Sequence, residues 1–229
     1  WFSPPPQPEG QKPITIESLK EAIPETATRP VEPTDSILAA TYGELSTAAK
    51  GEKSILKVET EDLRLSFSNK GGIIEELELK KYKTYQQEPL KLISPTSSEF
   101  NLRTNYQGKE IDLYTLFYQA SQRNVGDTTE VIYKIILQSG ASITQTYKIP
   151  AKGYEIGYKL SSSGFDQLLT GDNLTFNWLN ILRPIEKDLT LTREESTIAY
   201  YSDADGFDEL DQRSKEQETE VFSTPLKWV

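Results

Sequence analysis

The hydrophobic pattern of the chain takes on a period of two residues from about residue 55. Leu63, Leu65 and Phe67 alternate with polar residues, a polar run interrupts at 69–72, and the alternation resumes over 73–79. Such a period is typical of β-strands that bury one face. The paired glycines that end the polar run supply the positive φ angles of a tight strand reversal. This part of the chain therefore predicts an antiparallel hairpin.

A second hairpin and two further strands are predicted farther along the chain. Apolar residues alternate over 131–137 and again over 143–149, on either side of a short polar turn, and the same period recurs over 154–160 and 174–178. Repeated strands joined by short turns are typical of an antiparallel sandwich. The pattern predicts a mostly β fold with a few short helices, one of them at 184–193.

The first 52 residues lack a sustained apolar period. Eight of the 13 prolines of the chain lie among them, together with many Glu, Thr and Ser residues. Such a segment buries too little apolar area to offset the entropy cost of ordering it. We therefore expect a flexible proline-rich linker at 1–52, with at most marginal helices at 16–22 or 36–48, and one β-domain at 53–229. Because the chain has no Met and begins with Trp1, we also expect it to be a segment of a longer protein.

The composition of the 229-residue chain restricts its chemistry. There is no His and no Cys, which excludes mechanisms and metal sites that depend on imidazole or thiolate groups. The formal net charge of −10 disfavours nucleic-acid binding, which depends on clustered Lys and Arg. Chemistry that depends on carboxylates alone is left open by composition, but nothing in the sequence selects a carboxylate pair. We therefore predict no catalytic residue, no metal site, no cofactor and no nucleic-acid partner.

The segment 203–220 is strongly acidic. Placing Gly206 at the glycine position of an EF-hand loop puts Tyr201 and Gln212 at the two ends of the loop, where carboxylates are required, so the calcium pattern fails. We interpret the segment as a solvated acidic loop, with a docking patch for a basic partner as the alternative.

Aromatic residues on the later strands are the candidate binding residues. Tyr154 and Tyr158 alternate along one predicted strand, and Trp178 lies on another. Aromatic rings offer a large contact area at low entropy cost, which suits a groove for an apolar peptide or a sugar. An inward-facing core stripe is the alternative interpretation of these three residues.

Five segments follow one another along the chain in an order that is specific as a set. They are the predicted hairpin at 63–79, LKKYKTY at 79–85, TFNW at 175–178, EKD at 186–188 and PLKWV at 225–229. Together they resemble the large periplasmic domain of the bacterial YidC membrane protein insertases. The resemblance implies a galactose-mutarotase-like β-supersandwich in the periplasm. It also implies a parent chain embedded in the inner membrane, with the C-terminal segment of this domain approaching that membrane.

The resemblance also implies a function. In that family the insertase activity resides in the membrane-embedded helices, so this domain is expected to be non-enzymatic. It would act through contacts with the Sec translocon, its SecDF subunits or nascent membrane proteins. The acid–base pair of mutarotases includes a His, which this chain lacks, so the fold carries no enzymatic implication. A carbohydrate-binding sandwich and a structural spacer are the alternatives.

Overall fold

The computed structural model describes residues 34–164, 174–181, 183–188, 190, 192, 197–210, 213–214, 219–222, 224 and 226–228. The predicted helix at 16–22 and most of the predicted linker lie outside these residues, and the predicted helix at 184–193 lies partly outside them. Among the described residues, no helix is both long enough and apolar enough to cross a membrane.

The elements with described bounds are one α-helix, two short 3₁₀ helices and fourteen β-strands. Thr190 and Thr192, within the helix predicted at 184–193, are also helical. The helix α1 spans Asp35–Tyr42, and the 3₁₀ helices span Gly43–Thr47 and Leu113–Thr115. The strands are β1 (Ile55–Glu59), β2 (Leu63–Ser68), β3 (Ile73–Lys83), β4 (Pro89–Ile93), β5 (Ser98–Tyr106), β6 (Lys109–Asp112), β7 (Gln119–Val125), β8 (Thr128–Ile136), β9 (Ser142–Pro150), β10 (Gly157–Ser163), β11 (Thr175–Asn180), β12 (Ile198–Ser202), β13 (Gly206–Leu210) and β14 (Leu226–Trp228).

The strands form four antiparallel sheets. Their strand orders are β1-β2-β3-β4, β10-β9-β8-β7, β11-β5-β6 and β13-β12-β14. The first predicted hairpin is β2 and β3, with Leu63 opposite Leu79, and the second is β8 and β9, with Ile135 opposite Ile143. The prediction of a mostly β, antiparallel fold is confirmed.

The core lies between the first two of these sheets. Alternate residues of β2, ending at Phe67, are buried, and so are alternate residues of β8 and β9. The Phe67 ring meets the Tyr147 ring edge-on at 5.0 Å and the Tyr133 ring at 6.3 Å. Each apolar side chain that is fully buried in this way contributes roughly 1.5–3 kcal/mol. The period of two in the sequence therefore marks the two inner faces of a sandwich.

Part of the segment predicted as a linker packs against the β-domain. Leu38 on α1, and Leu45 and Ala48 just beyond it, are buried, and the last two belong to the main core cluster. The Phe117 amide donates to the Ala48 carbonyl at 2.6 Å. The part of the expected linker that follows Asp35 thus packs against the β-domain. Three apolar residues spread over a short stretch are too weak a pattern to stand out beside eight prolines.

Candidate binding groove

A groove of about 370 Å³ opens at one side of the sandwich. Its floor includes Ile73, Ile74 and Leu77 of β3, and its walls come from strands that are far apart in the sequence, notably β10 and β11. Every residue that lines it is aliphatic or aromatic. A concave apolar surface of this kind is typical of a site that binds an apolar group.

One wall of the groove is an aromatic cluster on β11 and β5. Phe176 and Trp178 are two positions apart on β11 and therefore point to the same face. Trp178 lies opposite Phe100 of β5, and their rings stack with centroids 5.6 Å apart. Phe176 is 54% exposed and Trp178 is 56% exposed. This cluster leaves a large aromatic area in contact with solvent.

The opposite wall is held by a hydrogen-bond network under Tyr158. The Tyr158 hydroxyl donates to Gln145 Oε1 at 3.0 Å, and Gln145 Nε2 donates to the Gly71 carbonyl at 2.8 Å. The Tyr147 hydroxyl donates to the Gly72 carbonyl, also at 2.8 Å. These bonds tie β9 and β10 to the β2–β3 turn and so fix the shape of the groove.

The same turn explains why the sequence places two glycines there. Gly71 has φ +81° and Gly72 has φ +61°, a region in which residues with a Cβ are strained. A Cβ on Gly72 would lie 2.9 Å from the Tyr133 Cβ, and one on Gly71 would lie 2.8 Å from the Tyr114 carbonyl oxygen. Only glycine permits this close approach.

The tyrosine side chains that line the groove are uncharged at neutral pH. Burial raises the pKa of Tyr114 and of Tyr147 well above the ordinary tyrosine value, and burial likewise raises the pKa of Tyr158. The three phenols are therefore protonated at neutral pH and act as hydrogen-bond donors. Within the described part of the chain, no three His, Cys, Asp or Glu residues converge as metal ligands. The arrangement suits apolar contact, and among the described residues that line the groove there is no Asp, Glu, Lys, Ser or Thr.

A second cavity of about 360 Å³ adjoins the groove and shares Ile73, Ile74 and Phe100 with it. It has charged walls, which include Lys53 and Glu75. These two residues form an ion pair with each other. The apolar groove thus continues into a polar end.

The structure brings two of the three predicted binding residues together. Tyr158 and Trp178 line the same groove. Tyr154 does not line it, and its ring lies 5.9 Å from the Tyr82 ring instead. Ile156 and Tyr158 both line the groove, whereas Tyr154 lies three residues before β10 begins at Gly157, so the predicted alternation does not extend back to Tyr154. Because Trp178 is mostly exposed, it does not belong to a core stripe.

Comparison with known proteins identifies the family. The family model described as "YidC periplasmic domain" matches residues 55–228. This chain belongs to that family. The resemblance based on five short segments is therefore confirmed, and the match covers every strand from β1 to β14.

Relatives of this YidC periplasmic domain are named as insertases. The chain is 35% identical over 188 residues to "Membrane protein insertase YidC" of Cytophaga hutchinsonii, a match that covers 82% of this chain and 30% of that protein. It is 24% identical to the Amoebophilus asiaticus protein of the same name, over 93% of this chain and 36% of the relative. The Porphyromonas gingivalis relative is 29% identical, over 82% and 30% respectively. The chain thus spans about a third of the length of these relatives.

Several groove residues of this YidC periplasmic domain were not predicted from the sequence. Phe176 could have been found, because it lies two positions before Trp178 on the same predicted strand. Phe100 and Ile93 could not, because only the folded arrangement brings β4 and β5 to β10 and β11. The acidic residues at 203–208 are not among those that line the groove. The Asp205 amide donates to Ser202 Oγ at 2.9 Å and closes the turn between β12 and β13.

Proposed function

We propose that this YidC periplasmic domain is a non-enzymatic binding module that holds extended apolar segments of polypeptide in the groove. The observation that carries the proposal is the exposed aromatic wall formed by Phe176 and Trp178, which faces an aliphatic floor. Burying such rings against a ligand removes a large apolar area from water, at roughly 25 cal/mol per Å². A soluble domain that leaves them uncovered retains a surface suited to a partner.

The proposal places the domain on the periplasmic side of the bacterial inner membrane, as an accessory part of an insertase. Its ligands there are nascent membrane proteins, whose apolar segments need shelter from water before they insert. The Sec translocon and SecDF are the proposed larger partners. Support for this setting comes from the family match and from relatives named as membrane protein insertases.

The absence of His from the chain and the neutral state of the groove phenols support a non-enzymatic role. A carbohydrate ligand is less suited to this groove, because sugar hydroxyls need polar partners, and the Tyr147 and Tyr158 hydroxyls in its lining already donate within the protein. A spacer with no ligand is the remaining alternative.

Titration of a fluorescent apolar peptide with the chain tests the proposal. We expect saturable binding that weakens at least about tenfold in Trp178→Ala, as is typical when a central aromatic contact is removed. Phe207→Ala is the matched control, because Phe207 is an equally exposed aromatic residue on β13 and its removal should leave binding unchanged. Equal binding by both variants would contradict the assignment of the groove. Saturable binding of oligosaccharides, but not of the peptide, would favour the carbohydrate alternative.

A further inference from the structure

The edge strands of the sheets differ in one respect that bears on partner binding. An edge strand presents unpaired backbone N–H and C=O groups, and natural proteins protect such edges with charged residues, proline or bulges. In the described part of the chain the four sheets end in eight edge strands, and seven of them carry such a residue. The protecting residues include Lys57 in β1, Pro89 in β4, Lys109 in β6, Arg123 in β7, Lys159 in β10, Asp208 in β13 and Lys227 in β14.

The exception is β11, at the mouth of the groove. Its sequence, TFNWLN, has no charged residue, no proline and no glycine. It pairs with β5 through six consecutive residues, from Thr175 opposite Arg103 to Asn180 opposite Ser98, without a bulge. No described strand pairs with its other side. Within the described residues, the strand is therefore a regular, uncharged edge that lacks the usual protection.

We propose that β11 accepts an additional β-strand from the bound polypeptide. This inference rests on the proposed function, since it specifies how the groove holds its ligand. Main-chain hydrogen bonds to the open side of β11 would hold any extended sequence, which suits a module that receives many different substrates. Alternate side chains of the added strand would lie on the same face as Phe176 and Trp178 and contact the groove, and the others would face away from it.

The net charge of the domain indicates which kind of chain pairs with β11. A second copy of this chain could pair β11 with β11, but each copy carries a net charge of −10, and two such bodies repel each other. A basic segment is attracted instead, and a neutral segment is not repelled. The occupant is therefore an extended polypeptide of another protein, apolar at alternate positions and without acidic residues.

Backbone methylation separates strand pairing from simple burial in the groove. The probe is a short synthetic peptide of alternating valine and threonine with a lysine at each end and a fluorescent label. One version carries N-methyl groups on alternate residues, and a second version carries them on the intervening residues. In an antiparallel pair only alternate residues direct their N–H groups at a given neighbour. We therefore expect one version to bind about tenfold or more weakly than the unmethylated peptide, and the other to bind like it.

The outcomes distinguish this inference from the proposed function. If the unmethylated peptide binds and both methylated versions bind equally well, the groove holds the peptide without strand pairing, and the inference is wrong while the proposed function stands. If no version binds, the proposed function fails as well.

Two protein variants complete the test. Leu179 is 62% exposed on β11 and points away from the Trp178 face, so Leu179→Lys adds an edge charge without changing the groove. We expect it to weaken peptide binding about tenfold, while Val125→Lys on the edge strand β7 leaves binding unchanged. Unaltered binding to a folded Leu179→Lys protein, checked by circular dichroism, would contradict strand pairing. A stable dimer of the wild-type chain in sedimentation experiments that Leu179→Lys abolishes would show that a second copy of this chain occupies β11, and would contradict the proposed occupant.

Discussion

Gln145 offers the sharpest test of how the groove is built. Its side chain is fully buried, donates to the Gly71 carbonyl at 2.8 Å and accepts from the Tyr158 hydroxyl at 3.0 Å. Gln145→Met keeps the length of the side chain but removes both polar groups. The substitution therefore cuts the connection between the groove wall and the β2–β3 turn while it changes packing little.

The expected loss follows from the hydrogen bonds. Each neutral bond contributes a net stabilisation of about 1 kcal/mol, and a buried carbonyl left without a partner costs about 1–3 kcal/mol. Because Gly71 is buried, we expect Gln145→Met to lower the free energy of unfolding by about 2–4 kcal/mol. Urea denaturation followed by tryptophan fluorescence or circular dichroism measures this change.

A double-mutant cycle assigns the loss to the network. Tyr158→Phe removes only the hydroxyl that donates to Gln145 and should cost about 1 kcal/mol by itself. In a Gln145→Met background the same change removes only the longer contact between the Tyr158 and Tyr114 hydroxyls, at 3.4 Å. It should therefore cost clearly less, and the difference is a coupling energy of up to about 1 kcal/mol. A loss below about 0.5 kcal/mol for Gln145→Met, or strictly additive effects, would refute the reasoning.

Three further predictions test the fold. Leu45→Ala should lower the free energy of unfolding by about 2–5 kcal/mol in urea, because Leu45 is fully buried. Gly72→Ala should destabilise more than Gly140→Ala by at least about 1 kcal/mol, because both have positive φ but only the Cβ at Gly72 meets Tyr133. The hydrogen bond from Lys81 is the main cause of the lowered pKa of Asp62. Asp62→Asn should therefore lower the free energy of unfolding at neutral pH, and this loss should shrink as the pH falls below the ordinary Asp value of about 4.

The sign of the Asp62 effect follows from linkage. A carboxylate with a lowered pKa in the folded state stabilises the protein above its unfolded pKa, and that contribution disappears as the pH falls through the folded pKa. The denaturation curves of the wild-type and Asp62→Asn proteins should therefore differ at neutral pH and converge in acid. Parallel pH profiles of the two proteins would contradict this account.

A Leu45→Ala protein as stable as the wild type would show that the segment after Asp35 does not contribute to stability. Equal losses of stability in Gly72→Ala and Gly140→Ala would contradict the packing argument at Gly72.

The local pattern of the sequence was enough to predict the hairpins. Alternation over 63–79 and 131–149 placed β2, β3, β8 and β9 correctly, because a strand with one buried face has a period of two residues whatever its partner. The pattern failed where the periodic signal was short. The segment around Leu45 contributes few apolar residues to the core, and the eight prolines that precede it led to the prediction of a linker.

The groove itself depends on contacts that no local pattern contains. Trp178 of β11 meets Phe100 of β5 because these distant strands pair, and a single sequence carries no signal for that pairing. Tyr154 lies outside the groove because it precedes the start of β10 at Gly157, and the period of two holds only from Ile156 onward. Sequence reasoning thus found two aromatic residues of the groove, and folding supplied the aliphatic floor beneath them.

Site-specific photo-cross-linking in a membrane-embedded insertase that contains this domain tests the central claim most directly. A photoreactive amino acid at position 178 reports from within the groove, and one at position 207 is exposed on β13 away from it. During synthesis of a membrane protein substrate, we expect position 178 to capture the nascent chain and position 207 to capture little or none. Failure of position 178 to capture nascent chains, or equal capture from both positions, would contradict the proposal that the groove holds substrate.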